Sequence, residues 1–178
     1  GAGVACGQDY PNRQIHIITA AAGGGSDFTS RQIAQGISGP LGQTVVVENR
    51  GSGVVQGEYL TKAPPDGYGL IVTGGSFWIQ PLLIKVPYDV AADFTPVCFI
   101  SREVNVVAVH PSVPATSIKE LVALAKAKPG ALNYSSAVSG SASHLASELF
   151  KSLAGIEVVR VAYKGDAAAI TALLGSEV

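Results

Sequence analysis

Glycine and small hydroxyl residues carry most of the chemistry this sequence offers. Four turns that follow apolar runs are built from them: Ala22 to Asp27, Thr73-Gly74-Gly75-Ser76, Ser135 to Ser143, and Tyr163-Lys164-Gly165. Glycine lets a ligand approach the backbone closely, and serine adds a neutral donor, so such turns can hold a carboxylate or phosphate and release it again. No G-x-x-x-x-G-K-[ST] string occurs and no lysine follows Gly23-Gly24-Gly25, which excludes the phosphate loop of nucleotide hydrolases. Gly51, Gly53 and Gly57 sit between a strand-like and a helix-like segment, but in G-x-G-x-x-x-G spacing. The following run, Leu70 to Thr73, ends without the acidic residue that would hold a ribose hydroxyl, so a nicotinamide cofactor is not expected.

Reaction chemistry is thinner still. There is no G-x-S-x-G elbow, H-E-x-x-H or C-x-x-C string, and the three histidines have ordinary explanations. His16 lies inside an apolar run as a core or edge residue, and His110 ends a run before Pro111. Ser143 and His144 are sequence neighbours, yet adjacent helical residues diverge by about 100° and make a poor nucleophile–base pair, leaving His144 as a packing residue at a helix N-terminus. Asp27 reads as a dipole-favoured residue of a first helical turn before it reads as a general base. Phe77 and Trp78 fit either a pocket wall or the core. No catalytic residue, metal site or cofactor is expected.

Those turns need elements to hold them, and the chain supplies an alternating series. Apolar runs at Ile15 to Thr19, Val45 to Val47, Leu70 to Thr73, Pro96 to Ser101, Val104 to Val109, Leu132 to Ser135 and Val158 to Ala162 read as strands. Helical periodicity follows Ser26, with Phe28, Ile33 and Ile37 on one face until Gly36 and Gly39-Pro40 weaken and stop it. A weak helix at 56 to 62, one opened by the S-x-x-E capping box Ser117 to Glu120 and ended by Pro129-Gly130, and helices at 143 to 153 and 167 to 174 complete the pattern. This is an α/β fold with mainly parallel sheets, in which ligands bind beyond the carboxyl ends of strands, where helix N-termini present free N–H groups.

Composition agrees. In 178 residues, 47% are hydrophobic and 14% charged, which is enough for one large domain or two small ones. Twelve Lys+Arg against thirteen Asp+Glu leave no basic surplus, so nucleic acid is not an expected partner. No apolar run approaches the roughly 18 residues of a membrane span. The opening GAGVACGQDYP reads as the remnant of an export signal or a tag over residues 1–8, with lipidation of Cys6 a weaker reading because Gly3 stands where Leu is usual. Cys6 and Cys98 can be bridged or free.

The sequence resembles the substrate-binding proteins of tripartite tricarboxylate transporters, called Bug receptors in Bordetella. The resemblance rests on YPNRQIHIIT and GGGSD at the start, VVVENR at 45–50, APPDGYGL at 63–70, PYD and DF at 87–94, and KELVALAKAKPGALNYSSA at 119–137. It closes with GSASHLASELF at 140–150 and VAYKG at 161–165. It implies a periplasmic solute receptor of the type II periplasmic-binding-protein kind, a flytrap of two α/β lobes at 9–103 and 104–178 with a hinge near Ser101 to Asn105. Such a receptor closes on a small dicarboxylate or aromatic acid and delivers it to membrane permease subunits. Carried over, Ala22, Gly24, Gly25, Ser26, Asp27 and Ser76 line one side of the cleft. Ser136, Ala137, Gly140, Ser141 and Ser143 line the other, with Tyr163 nearby.

Three departures from the family pattern stand out: Thr19-Ala20-Ala21-Ala22 replaces a Pro-Phe pair and a further Pro, the loop after Arg50 is shorter, and the chain stops at Glu177-Val178 where a further strand would begin. The second lobe is therefore expected to be partial and to expose apolar faces that favour self-association. A ligand-sensing or assembly module of a signalling system, and a non-binding fragment, stand as alternatives. A hydrolase survives only through Ser143 and His144.

Overall fold

The computed structural model describes residues 10–178 apart from Ser52 and Glu103, so the questions about residues 1–8 and Cys6 lie outside the described residues. Its first sheet is wholly parallel, in the order β2-β1-β3, with β1 (Ile15–Thr19) between β2 (Val45–Asn49) and β3 (Gly69–Ile71). The register pairs Ile15 with Val45, Thr19 with Asn49, and Ile17 with Leu70. As the central strand of a sheet covered on both faces, β1 buries Ile15, Ile17, Ile18 and Thr19. Ile15 and Ile17 join Ala34, Val45 and Val72 in the core, against which Ile33, Ile37 and Leu41 of α1 (Gly25–Leu41) pack.

That packing corrects the expected stop of α1. The helix runs through Gly36 and Gly39, takes Pro40 into its last turn, and ends at Gly42 in the left-handed conformation with φ of 62°. Two helical glycines cost about 1 kcal/mol each. Packing Ile33, Ile37 and Leu41, each partly buried, against the sheet offsets this at about 25 cal/mol per Å² of apolar surface removed from water.

On the far side of the first sheet, α2 (Gly53–Thr61) packs against α3 (Ser76–Leu83), a helix without a sequence signature. A Cβ on Gly57 would stand 2.5 Å from Cε1 of Tyr88, and one on Gly53 would meet Gln80 Oε1 at 2.9 Å. Gly53 and Gly57 of the G-x-G-x-x-x-G string thus admit neighbouring side chains to the helix surface. Tyr88 stacks on Phe77 with centroids 5.6 Å apart, and Phe94 meets Phe77 edge-on at 5.2 Å. Phe77 is core, whereas Trp78 is half exposed.

The second sheet pairs β4 (Asn133–Ser136) in parallel with β5 (Val159–Ala162), flanked by α5 (Ala142–Ala154) and α6 (Asp166–Leu174). Helix α5 is tied to β4 where Tyr134 Oη donates to Glu148 Oε1 at 2.5 Å and Lys151 Nζ donates to the same carboxylate. Between the sheets in chain order comes α4 (Ile118–Ala127), capped by Ser117 Oγ accepting from Glu120 N–H. The capping box closes one residue earlier than expected: Glu120 Oε2 accepts from the N–H and the hydroxyl of Thr116.

The strands expected at 96–101 and 104–109 are not formed. Among the described residues there, none belongs to a helix or strand, and Val97, Phe99, Val104 and Val106 are exposed. β-branched composition makes a strand only when a neighbouring backbone takes its N–H and C=O groups, and no described strand lies alongside.

Candidate functional site

The loop after β1 is shaped by a buried carboxylate. Asp27, in the first turn of α1, turns back so that Oδ2 accepts from Gly23 N–H at 3.0 Å, while Oδ1 accepts from Asn49 Nδ2 at 2.8 Å and from Arg31 at 3.0 Å. Asn49 also donates to the carbonyl of Ala20 at 2.7 Å. The register that puts Asn49 opposite Thr19 brings it there. Burial works to raise the Asp27 pKa, but hydrogen bonds from Asn49, Gly23 and Arg31 outweigh it and hold the carboxyl below its ordinary range. Gly23 needs its glycine, since φ is +79° and a Cβ would lie 3.3 Å from that of Ala167. Ala22 and Gly25 are exposed, and Gly24 and Ser26 half-buried. Gly24 caps α1 without any side-chain bond, leaving the first-turn N–H groups of the helix free.

The loop after β4 is held by Arg160 of β5. Its Nε donates to Ser136 Oγ at 2.8 Å, one terminal nitrogen to Ser139 Oγ at 3.0 Å, and the other to the carbonyl of Ala137 at 2.9 Å. Ser136 and Ala137 are buried, so the Ser136 hydroxyl is a strut of the loop. Ser141 caps α5 by accepting from His144 N–H at 3.3 Å, and Gly140 N–H donates to His144 Nδ1 at 3.1 Å. His144 is held below its ordinary pKa by burial first and by nearby Arg160 second. An Nδ1 that accepts is the unprotonated nitrogen of a neutral ring, so His144 braces its loop. Ser143 Oγ accepts from Ala137 N–H at 3.3 Å and donates to Asp166 Oδ1 at 3.0 Å. Its single proton is directed at Asp166.

The two loops come together, although they belong to different sheets. Gly165, extended at φ −176°, caps α6 without a side-chain bond, and a Cβ there would touch Ala21 Cβ at 3.3 Å. Asp166 Oδ2 lies 4.0 Å from the Cβ position of Gly24, so one carboxylate spans from Ser143 on the second loop to the glycines of the first. On the other flank Gln80 Nε2 donates to the carbonyl of Ser139 at 3.3 Å, and its Cγ lies 2.9 Å from the Cβ position of Gly140. Ser76 is one helical turn from Gln80 and shares its face of α3. Tyr163 is half-buried, with its N–H donating to the carbonyl of Ser136 at 2.9 Å.

The residues read from the sequence therefore divide. Gly24, Gly25 and Ser26 present free amides or small surfaces at the junction, whereas Asp27, Ser136 and Ser143 hold the loops. Asp166, Arg160, Asn49 and Gln80 were not anticipated. Only Asp166 had a local signal, as the acidic residue directly after Tyr163-Lys164-Gly165; the others depend on strand register or on the meeting of the two halves. What the arrangement can do is bind: two uncapped helix N-termini, those of α1 and α6, offer unpaired donors and partial positive charge at one junction. Among the described residues no group of three His, Cys, Asp or Glu side chains could hold a metal ion, and no helix is long and apolar enough to cross a membrane.

Comparison with known proteins identifies the family and the fold. Residues 29–178 match the family model of the tripartite tricarboxylate transporter family receptor. A UPF0065 protein of Bordetella pertussis is 33% identical over 174 residues, and BugT of the same organism 34% over 175, each match covering 95% of this chain and 54% of the relative. The chain thus spans about half the length of these relatives. Among solved structures, a periplasmic transporter superposes with a TM-score of 0.89 at 35% identity, and a Rhodopseudomonas palustris protein with adipate superposes with 0.86 at 34%; both matches cover 95% of this chain and 58% of the other. MatC of the same organism, with bound malate, gives 0.81 at 26%, covering 95% and 59%. The fold is that of a periplasmic binding protein, and the chain belongs to the tripartite tricarboxylate transporter receptor family.

Proposed function

We propose that this chain forms the ligand-gripping part of a periplasmic receptor that binds a small organic carboxylate without transforming it and passes it to the membrane permease subunits of a tripartite tricarboxylate transporter. The observation that carries the reading is the meeting of the uncapped N-termini of α1 and α6, from separate sheets, around Gly24 and Gly165. A carboxylate there would accept from first-turn N–H groups and sit at the positive ends of two helix dipoles. Residues 9–103 and 104–178 act as the two lobes. Ala22, Gly24, Gly25, Ser26 and Ser76 on one side and Ala137, Gly140, Ser141 and Tyr163 on the other line the grip, with Asp27, Ser136 and Ser143 fixing its shape. Adipate and malate in the two R. palustris relatives are carboxylates of the proposed size.

Titration with a panel of mono- and dicarboxylates, followed by calorimetry and by the fluorescence of Trp78, the single tryptophan, tests this. Saturable binding of at least one acid, returned chemically unchanged, is expected. A ligand at 100 times its Kd should also stabilise the fold by about 2.7 kcal/mol. No binding of any acid would remove the reading. Binding combined with a partner contact that is independent of permease subunits would favour a signalling module instead.

A further inference from the structure

We infer that Asp166 sets the ligand class of this cleft, selecting carboxylates that carry a hydrogen-bond donor, a hydroxyl or an ammonium, on the carbon next to the bound carboxylate. The inference rests on the receptor reading above and deepens it. Asp166 stands at the first position of α6, exposed, between the glycines of the first loop and the serines of the second. Its Oδ1 takes the one proton of Ser143, while Oδ2 faces the Gly24 backbone 4.0 Å from that residue's Cβ position and has no hydrogen-bond partner among the described residues.

Of the other charged groups around these loops, Lys164 is exposed on the turn before α6, and Asp27 and Arg160 are committed elsewhere. Asp27 is enclosed by Gly23, Asn49 and Arg31, and Arg160 is occupied by Ser136, Ala137 and Ser139. A ligand carboxylate drawn to the amides of α1 and α6 therefore meets a fixed negative charge beside it, and like charges in one site disfavour each other. A donor on the adjacent carbon turns this repulsion into a charge-assisted hydrogen bond to Oδ2. A ligand with only methylene there has nothing to offer, and the acceptor is left desolvated and unpaired when it binds.

Succinate, malate and aspartate test this cleanly, since they share a four-carbon dicarboxylate skeleton and differ only at C2, in hydrogen, hydroxyl and ammonium. Binding of each is measured by calorimetry on the full chain and on its Asp166→Asn and Asp166→Ala variants, with urea melts confirming that all three fold. The unsubstituted chain is expected to prefer malate or aspartate over succinate by about tenfold or more, the size of one hydrogen bond to a charged group. The two arms show which donor is read. Asp166→Ala should bring that preference below about threefold, chiefly by strengthening succinate, with Asp166→Asn intermediate. Equal affinities for the three acids, or a preference that survives both variants, would overturn the role of Asp166 while leaving the receptor reading intact. If none of these acids nor any other carboxylate binds any of the three proteins, the receptor reading itself fails.

Discussion

Replacing Asp27 by alanine removes a carboxylate that accepts from the Gly23 N–H, the Asn49 amide and the Arg31 guanidinium, and whose side chain is 8% exposed. Hydrogen bonds to a charged group contribute about 1.5–3 kcal/mol each, and breaking a buried pair costs about 3–5 kcal/mol when the partner is stranded. Here the partners are not fully stranded. Asn49 keeps the Ala20 carbonyl and Arg31 keeps Asn49 Oδ1, at 2.7 and 3.1 Å, while the Gly23 N–H loses the one partner it has. The expected loss is thus about 2–3 kcal/mol, or roughly 4–12 °C in melting temperature for a chain of this size. Urea and thermal unfolding measure it. The pH dependence supplies a second check. Because the folded carboxyl titrates below its ordinary value of 3.8, its contribution is fully present above that pH and fades as pH falls through the folded value. The gap between the unsubstituted chain and Asp27→Ala should therefore be widest near neutrality and close in strong acid. A gap under about 0.5 kcal/mol at pH 7, as for an ordinary surface substitution, or a gap that widens on acidification, would refute the role given to this carboxylate.

Other consequences follow from the same contacts. Arg160→Lys keeps the charge but loses the planar fork that reaches Ser136, Ala137 and Ser139 together, so carboxylate affinity should fall about tenfold, read by Trp78 fluorescence; an unchanged affinity would show that the second loop needs no such brace. Gly57→Ala drives a methyl group into the Tyr88 ring and should destabilise by about 1–3 kcal/mol in urea, with the near-ultraviolet dichroism of the Phe77–Tyr88–Phe94 cluster altered. The exposed apolar side chains Val97, Phe99, Val104 and Val106 should pair copies of the chain, giving a sedimentation coefficient that rises with concentration and a return to monomer in Val104→Lys/Val106→Lys. A monomer at every concentration would count against this.

How far the sequence discloses such a molecule depends on whether each signal is local. The β1–α1 unit is local: an apolar run, a glycine cluster and a helical face follow one another, and the strand, turn and helix appear where the residues place them. So do β4, α5, β5 and α6, within one or two residues at their ends. Residues 96–109 have strand composition, but a strand is a relation between backbones, and the described structure sets no neighbour beside them. Helix α3 failed to announce itself for the converse reason. Ser76 to Leu83 is a largely apolar run containing Pro81, without helical alternation, and Phe77 is fixed there by Tyr88 and Phe94, which lie beyond the helix in sequence. At the site, glycine and serine content marked the turns. Which of the serines support the loop was not legible, because Ser136 and Ser143 are made struts by Arg160 and Asp166, which arrive from another strand and helix.

In the proposed receptor, this division between groups that build loops and groups left to bind lets an anion be gripped with Arg31 and Arg160 turned onto the loops. Arg31 and Arg160 lie beside the two loops, and each is turned onto loop atoms: Arg31 onto Asp27 and Asn49, Arg160 onto Ser136, Ala137 and Ser139. An arginine facing the ligand would form a bidentate, charge-assisted pair with a carboxylate, about twice as strong per bond as a neutral hydrogen bond. Amides at helix N-termini are individually weaker, and they bind together only where the loops hold them in one geometry, so affinity depends on α1 and α6 meeting. On that proposal, loop rigidity, set by Asp27 and Arg160, is a condition for binding, and separation of the two halves a means of release. Opening of the proposed grip would part the contacts at Ala21–Gly165 and Gln80–Ser139, and with them the two sets of donors.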